Sequence, residues 1–387
     1  MITLALRMLF NDRAKYLMLV SGVAFASLLM IQQSGVFCGL MSWTYSSLRN
    51  LRAPIWVMGP KVEQVNDPKP LRDTDVFRVR SIDGVAWAAP LYTGNVQGRL
   101  PNGNFKLVQL VGLDNNTFTG APGPEKFLAG SLDALRLPNT VIIDDFAVQR
   151  LSDGLTHPDG TPRKIGIGDV FDINDHEARV VGIIKAYRSF TGGPYVFTTY
   201  DRALQYAPPT RRMLSFVLAA PAEGMDPAIV AGRITRESGL RAQTEAEFRN
   251  ETLFWFVKNT GIPVSFGTTV LLGLIVGLVI SGQTYYTFIL ENARSIAAFK
   301  AMGASMSLLV RMLITQSVVA GLIGFGIGVG LSAGFGFLTA PKGQPPFYLL
   351  PEILFGVGGF ILLITISAAL LGIIKVARMD PDTVFRG

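Results

Sequence analysis

The chain of 387 residues is 49% hydrophobic and only 16% charged, with a mean hydropathy of +0.37 and a net charge of +7. Those proportions exclude an ordinary soluble enzyme of this length and place the apolar excess in membrane spans. The single cysteine, Cys38, excludes an internal disulfide.

Residues 1–16, MITLALRMLFNDRAKY, set Ile2, Leu6, Leu9 and Phe10 at helical spacing, the pattern of a short cytoplasmic helix lying in the membrane interface. Residues 17–43 then run 27 positions without a charge, more than the roughly 20 needed to cross the hydrocarbon as a helix. Bulky Val36 and Phe37 precede Cys38, where a lipoprotein or signal-peptidase site needs small residues, so this span is expected to persist as an uncleaved helix. Gln32 and Gln33 fall in its outer half. Such amides either hydrogen-bond between helices or, beside Phe37, line a membrane cavity for an amphipathic ligand.

Residues 44–261 form a block of 218 residues with 25 basic and 23 acidic side chains, large enough to bury a core of its own. Residues 55–58, 91–99, 105–112, 140–145, 169–175, 178–184 and 213–220 read as strands, and 125–136, 200–206 and 226–238 as helices. Asn102-Gly103 marks a tight hairpin turn. The expected arrangement is two α+β lobes. Residues 244–260 open on a capping box, Thr244 with Glu247, and place Phe248, Leu253, Phe256 and Val257 on one side of a stalk helix. Gly261 and Pro263 joint that stalk to the second charge-free run, 262–290.

A short charged segment, 291–305, separates this run from the third span, 306–338. In the segment Phe299 and Met302 make an amphipathic turn ended by Gly303, and apolar side chains facing the cytosol beside Arg294 and Lys300 mark a partner surface. In the third span Gly326, Gly330 and Gly334 recur every four residues, with Gly324 and Gly328 beside them, so its backbone can approach another helix closely. A short loop, 339–352, the fourth span, 353–374, and a tail, 375–387, complete the chain.

Lys and Arg in the short flanks set the orientation. Three precede span 1, Arg294 and Lys300 lie between spans 2 and 3 with Arg311 in the first turns of span 3, and three follow span 4, against Lys342 alone in the loop after span 3. Both termini and the segment 291–305 are therefore expected in the cytoplasm, and the large domain outside. The basic balance is topological, and no basic stripe with interleaved aromatics points to nucleic acid.

Most chemistry is excluded. No phosphate-binding G-x-x-x-x-G-K-[ST] loop occurs, and no Asp, Glu, Lys or Arg sits deep within a span to couple protons, Arg311 standing in the first turns of span 3. Asp169, Asp172, Asp175, His176 and Glu177 could offer oxygen ligands to a cation, but their alternation with Val170, Phe171 and Ile173 reads as a hairpin with Asn174-Asp175 at its tip. Neither histidine stands near a nucleophile motif. Catalytic, metal and cofactor-binding residues are thus not expected, and energy must come from a partner.

ENARSIAAFKAMGAS, residues 291–305, resembles the coupling segment of FtsX/MacB-type ABC transporter permeases, E-x-x-x-x-I-x-x-x-[KR]-A-[LM]-G-A-[ST]. ARMDPDTVFRG, residues 377–387, is similar to the family's closing pattern, and IGDVFDINDHEARVVGII to its outer-domain strand pair. IWVMGPKVEQVNDPKPL, NTGIPVSFGTTV and GQTYYTFILEN look closest to the DevC-like branch, whose members work with a separate ATPase.

The resemblance implies a polytopic α-helical membrane protein. Four transmembrane helices carry a large α+β extracytoplasmic domain, a MacB-like periplasmic core, between helices 1 and 2. It implies a homodimer in the bacterial inner membrane, not itself an enzyme, with ATP and Mg on a separate ABC ATPase that docks on Glu291, Arg294, Ile296, Phe299, Lys300, Met302 and Gly303. It further implies mechanotransmission: ATPase closure drives the outer domain to hand a lipid-like or amphipathic substrate to a periplasmic membrane-fusion adaptor and a TolC-like outer-membrane channel. The alternative is an FtsX-like signalling regulator of a periplasmic cell-wall enzyme.

Overall fold

The structure is a computed structural model that describes residues 13–291, 298–300, 302–339 and 346–377. The chain divides into two compact units, Met41–Thr260 and a helical unit of Met1–Leu40 with Gly261–Gly387.

Helix α1 runs Arg13–Thr44, so Arg13–Tyr16 continue into the first span, and the rest of the expected interfacial helix lies outside the described residues. A five-residue helix, α2 (Ser46–Asn50), follows.

The outer domain is built on strands β1 (Ile55–Met58), β2 (Val85–Arg99), β3 (Phe105–Leu113), β4 (Phe127–Gly130), β5 (Thr140–Asp144), β6 (Val170–Ile173), β7 (His176–Ile184), β8 (Tyr195–Thr199), β9 (Phe216–Pro221) and β10 (Arg241–Thr244). Helices α3 (Asp75–Arg80), α4 (Asp145–Arg150), α5 (Tyr200–Tyr206) and α6 (Pro227–Ser238) pack against them.

One ten-stranded sheet, ordered β10-β1-β9-β2-β3-β8-β5-β7-β4 with β6 bridging β2 and β7, replaces the two separate lobes expected. The cause is β2. Its first half, Val85–Leu91, pairs with β9, and its second half, Tyr92–Arg99, with β3. A strand of 15 residues is long enough to belong to both parts of a twisted sheet.

The hairpin turns read as expected. Gly103 takes φ +83° between β2 and β3, and Asn174 and Asp175 take +47° and +63° between β6 and β7, residue types that tolerate this region. The helix expected over 125–136 is instead a 3-10 turn, the short strand β4 and a second 3-10 turn. Pairing of Phe127, Ala129 and Gly130 with β7 overrides local helix propensity there.

Helix α7, Glu245–Asn259, has the complete capping box: Thr244 Oγ1 accepts from Glu247 N–H, and Glu247 Oε2 from Thr244 N–H. Its buried stripe is Phe248, Thr252 and Phe256, each four residues apart; Leu253 is half-buried and Val257 is exposed, unlike the side expected from sequence. The thermal midpoint of the full chain's outer domain is expected to fall in Thr244→Ala, because loss of such a cap costs about 1 kcal/mol; differential scanning calorimetry checks it.

In the helical unit, α8 (Ile262–Glu291), α9 (Met306–Thr339) and α10 (Pro351–Ala377) join α1, and all four contain runs long and apolar enough to cross a membrane. Their core holds Val20, Val23, Met30, Ala320, Ile361 and Ile364.

Glycines set the close approaches. A Cβ built at Gly324 would lie 2.8 Å from Val23 Cβ and 3.1 Å from Val20 O, and one at Gly328 would lie 2.5 Å from Ser27 Oγ and 2.9 Å from Leu28 N, so this stripe seats α9 on α1. The stripe Gly326, Gly330 and Gly334, expected to pack, meets nothing within 4 Å. The two stripes lie two residues apart, and a helix turns about 200° in two residues, so only one can face α1. Between α9 and α10, Ser317 Oγ donates to Thr365 O at 2.5 Å. Phe347 lies against Gly35 and Gly336, and Tyr348 N–H donates to Gly35 O at 3.0 Å, which holds the segment before α10 on the outer half of α1.

Candidate coupling site

Between α8 and α9, residues 298–300 are helical and end in a closed cap. Ala304 N–H donates to Phe299 O at 2.9 Å and Gly303 N–H to Lys300 O at 3.1 Å, with Gly303 at φ +90°. This is the paired bonding of a Schellman cap, and a left-handed residue is what lets the chain reverse so abruptly. Ser305 O then accepts from Leu308 and Leu309 N–H as α9 begins. The knob is fixed to the root of α9 with no slack between them.

Phe299 also has contacts within the chain. It is half-buried and packs with Met306 and Met312 against Leu309 and Leu313, the two buried side chains at the start of α9. Part of its surface is thus taken up in anchoring the turn to α9. Met302, one residue before the glycine, is 74% exposed and is the apolar group the turn presents. Glu291 closes α8 and is exposed, Lys300 is half-buried, and Arg294 and Ile296 lie outside the described residues.

Gln32 and Gln33 are half-buried and make no side-chain hydrogen bond among the described residues, so the interhelical bond expected of them is not seen there. Phe37 packs on Phe266 with ring centroids 5.7 Å apart, which joins the outer ends of α1 and α8.

In the outer domain, the residues just after span 1 are tied down by a loop that sequence reasoning missed. Asn50 Nδ2 donates to Tyr187 O and Asn50 Oδ1 accepts from Tyr187 N–H, both at 2.8 Å, while the Arg49 guanidinium lies 3.4 Å from the centroid of the Tyr187 ring. Ser46 and Ser47 share the buried Tyr195 hydroxyl. Three residues beyond Tyr187, Phe190 meets Phe256 of the stalk edge-on at 4.6 Å. One loop thus grips both the exit of span 1 and the stalk that enters span 2. No local signal could show it, because the partners are 137 and 66 residues apart in the chain.

The same region holds a buried carboxyl. Asp144 caps α4 by accepting from Ala147 N–H at 2.7 Å and also accepts from Tyr195 N–H at 3.0 Å. Burial pushes it up to about 7, against those two bonds. The folded domain therefore holds this proton more tightly than the unfolded chain. The stability this contributes is full below the ordinary aspartate value near ~4 and is lost as pH rises through 7. Thermal unfolding of the full chain is expected at a lower midpoint at pH 8 than at pH 5, with a flatter dependence in Asp144→Asn; circular dichroism melts across that range check it.

The carboxylates of the β6–β7 hairpin are used in ion pairs. Asp169 binds Arg163 and Asp172 binds Arg99, each at 2.7 Å.

Residues 17–237 match the family model for the MacB-like periplasmic core domain, and residues 252–381 match that for the FtsX-like permease C-terminal region. The chain belongs to the MacB/FtsX family of ABC-type permeases. As such a permease it is a multi-pass component of a transporter in the bacterial inner membrane, and membership implies association with an ABC ATPase.

Among solved structures, the permease is similar to the extracellular domain of the noncanonic ABC-type transporter YknZ from Gram-positive bacteria (15% identity, covering 50% of this chain and 98% of that one, TM-score 0.34). It is also similar to the periplasmic region of MacB from Actinobacillus actinomycetemcomitans (10% identity, 55% and 96% covered, TM-score 0.36). A domain of a putative permease protein from Porphyromonas gingivalis matches at 11% identity, with 51% and 89% covered and a TM-score of 0.28. No curated protein sequence matches the chain.

Proposed function

We propose that this permease is the membrane subunit of a DevC-like exporter that receives work at the turn between α8 and α9. The observation that carries the reading is that turn: a capped knob bonded to the root of α9, with Met302 held outward at 74% exposure. A separate ATPase, carrying ATP and Mg, docks on Met302 and on the charged residues Glu291, Arg294 and Lys300 of the same segment. Both termini lie in the cytoplasm, a reading supported by the Lys and Arg count in the short flanks.

Closure of two ATPase subunits on a permease homodimer displaces the knobs, and rigid helices carry the displacement outward. At the outer ends, the loop from Tyr187 to Phe190 binds both the span 1 exit and the stalk, so force from either reaches the sheet. The outer domain then hands a lipid-like or amphipathic substrate to a membrane-fusion adaptor and a TolC-like channel, by mechanotransmission and not by passage through a central pore.

The test is co-purification with the ABC ATPase that the family implies. Met302→Asp is expected to weaken the complex about thirtyfold, the scale of losing one interface hot spot. Undiminished association would remove the knob from the docking surface. A cell-wall hydrolase, and no adaptor, bound to the outer domain would replace export with FtsX-like signalling.

A further inference from the structure

Where β2 changes partners, the sheet opens into a cleft of about 540 Å³. Its walls include Asp73, Phe77, Arg80, Trp87, Asp114 and Tyr200, all within the outer domain. The volume falls in the range of sites that enclose a small organic molecule. Phe77 on α3 is 67% exposed, and Trp87, which lines the same cleft, is half-buried.

Residues Val85–Leu91 of β2 pair with β9 on one side only, so an added strand from a partner has to be weighed as the occupant. The edge is guarded against it. Arg80 Nη2 already donates to Ala88 O at 2.6 Å, and Pro90 has no N–H to offer. What the cleft leaves open is side-chain chemistry.

That chemistry is aromatic and anionic. Asp73 Oδ1 accepts from the Tyr200 hydroxyl at 3.2 Å. Asp114 Oδ2 takes the three bonds of its own turn, from Asn116 N–H, Thr117 N–H and Thr117 Oγ1. Among the described residues the other oxygen of each carboxylate accepts nothing. Burial alone would raise Asp114, but the bonds from Thr117 and Asn116 and the nearby Arg80 outweigh it and hold the carboxyl below its ordinary range. Among the described residues the one cation in the wall, Arg80, is committed to Ala88 O and lies 5.9 Å from the centroid of Phe77.

We propose that this cleft binds an amine-bearing amphiphile, its apolar body against Phe77 and Trp87 and its ammonium on the free oxygens of Asp73 and Asp114. The aromatic faces favour a cation as well as an apolar surface, and two carboxylates against one engaged guanidinium fix the sign of the head group. Naming the bound molecule as cargo rests on the export reading; the binding itself does not.

The test uses the full chain in lipid nanodiscs, with empty discs as the blank. Three probes share one aromatic body and differ in head charge: 1-naphthylethylamine, 1-naphthylethanol and 1-naphthylacetate. Calorimetry is expected to show the amine about tenfold tighter than the alcohol, the scale of one charge-assisted hydrogen bond, with the acetate weakest. Asp73→Asn and Asp114→Asn should each shrink the preference for the amine over the alcohol, and Phe77→Ala should weaken both. Asp114 also holds its own turn, so Asp73→Asn, whose one bond in the structure is from Tyr200, keeps the test decisive if Asp114→Asn fails to fold.

The proposal is overturned if the acetate matches the amine, if the amine shows no heat above the blank, or if the preference survives both carboxylate substitutions. No arm involves the ATPase, so failure of the permease reading, seen as absent ATPase association, stays distinct from failure of this site.

Discussion

Gly328→Leu is expected to disassemble the helical unit, whereas Gly330→Leu, two residues along the same helix, is expected to leave it intact. At Gly328 a Cβ alone would meet Ser27 Oγ at 2.5 Å and the Leu28 backbone nitrogen at 2.9 Å, and backbone cannot step aside. Adding a Leu side chain forces α9 away from α1 and strips contacts along Gly324, Val20 and Val23 as well. Overpacking of this kind costs about 1–3 kcal/mol where side chains can yield, and more where backbone is the obstacle. Gly330 has nothing within 4 Å inside the chain. Size-exclusion elution and thermal melts of the two variants in detergent check the contrast. Equal behaviour would mean that the contact between α1 and α9 does not hold the bundle.

The second large effect separates docking from transmission. Phe299→Asp is expected to leave the ATPase bound but abolish its stimulation by the permease, because Met302 still faces outward while the knob loses its anchor on Leu309 and Leu313. A carboxylate placed against those side chains has no partner there and costs several kcal/mol to keep in contact, so the turn swings free of α9 (~2–5 kcal/mol). Gly303→Val is expected to act the same way, since a β-branched residue at φ +90° is strongly strained and the two hydrogen bonds of the cap open. Pull-down of the ATPase and its hydrolysis rate, measured on the same preparations, check both. Loss of binding in Phe299→Asp would return that side chain to the docking surface itself.

These two cases also mark how far the residues alone could be read. The spans, the capping box at Thr244, the hairpin turns at Gly103 and Asn174-Asp175, and the reversal at Gly303 are local. Each depends on residues a few positions apart, so period, charge and turn chemistry determine them. The family followed from the same kind of local pattern in residues 291–305 and across the chain.

What only the tertiary structure decided lies where a choice depends on neighbours distant in the chain. Gly324/Gly328 and Gly326/Gly330/Gly334 are equivalent as patterns, and the rotation of α9 against α1 selects the first. Phe299 and Met302 are both apolar residues of one short turn, and the start of α9 takes one and leaves the other outside. A 15-residue strand could have served either of two lobes, and pairing with both β9 and β3 made one sheet and opened the cleft at their parting. The physical reason is common to all three. Sequence fixes which surfaces a segment can offer, and burial against a remote partner settles which one is used.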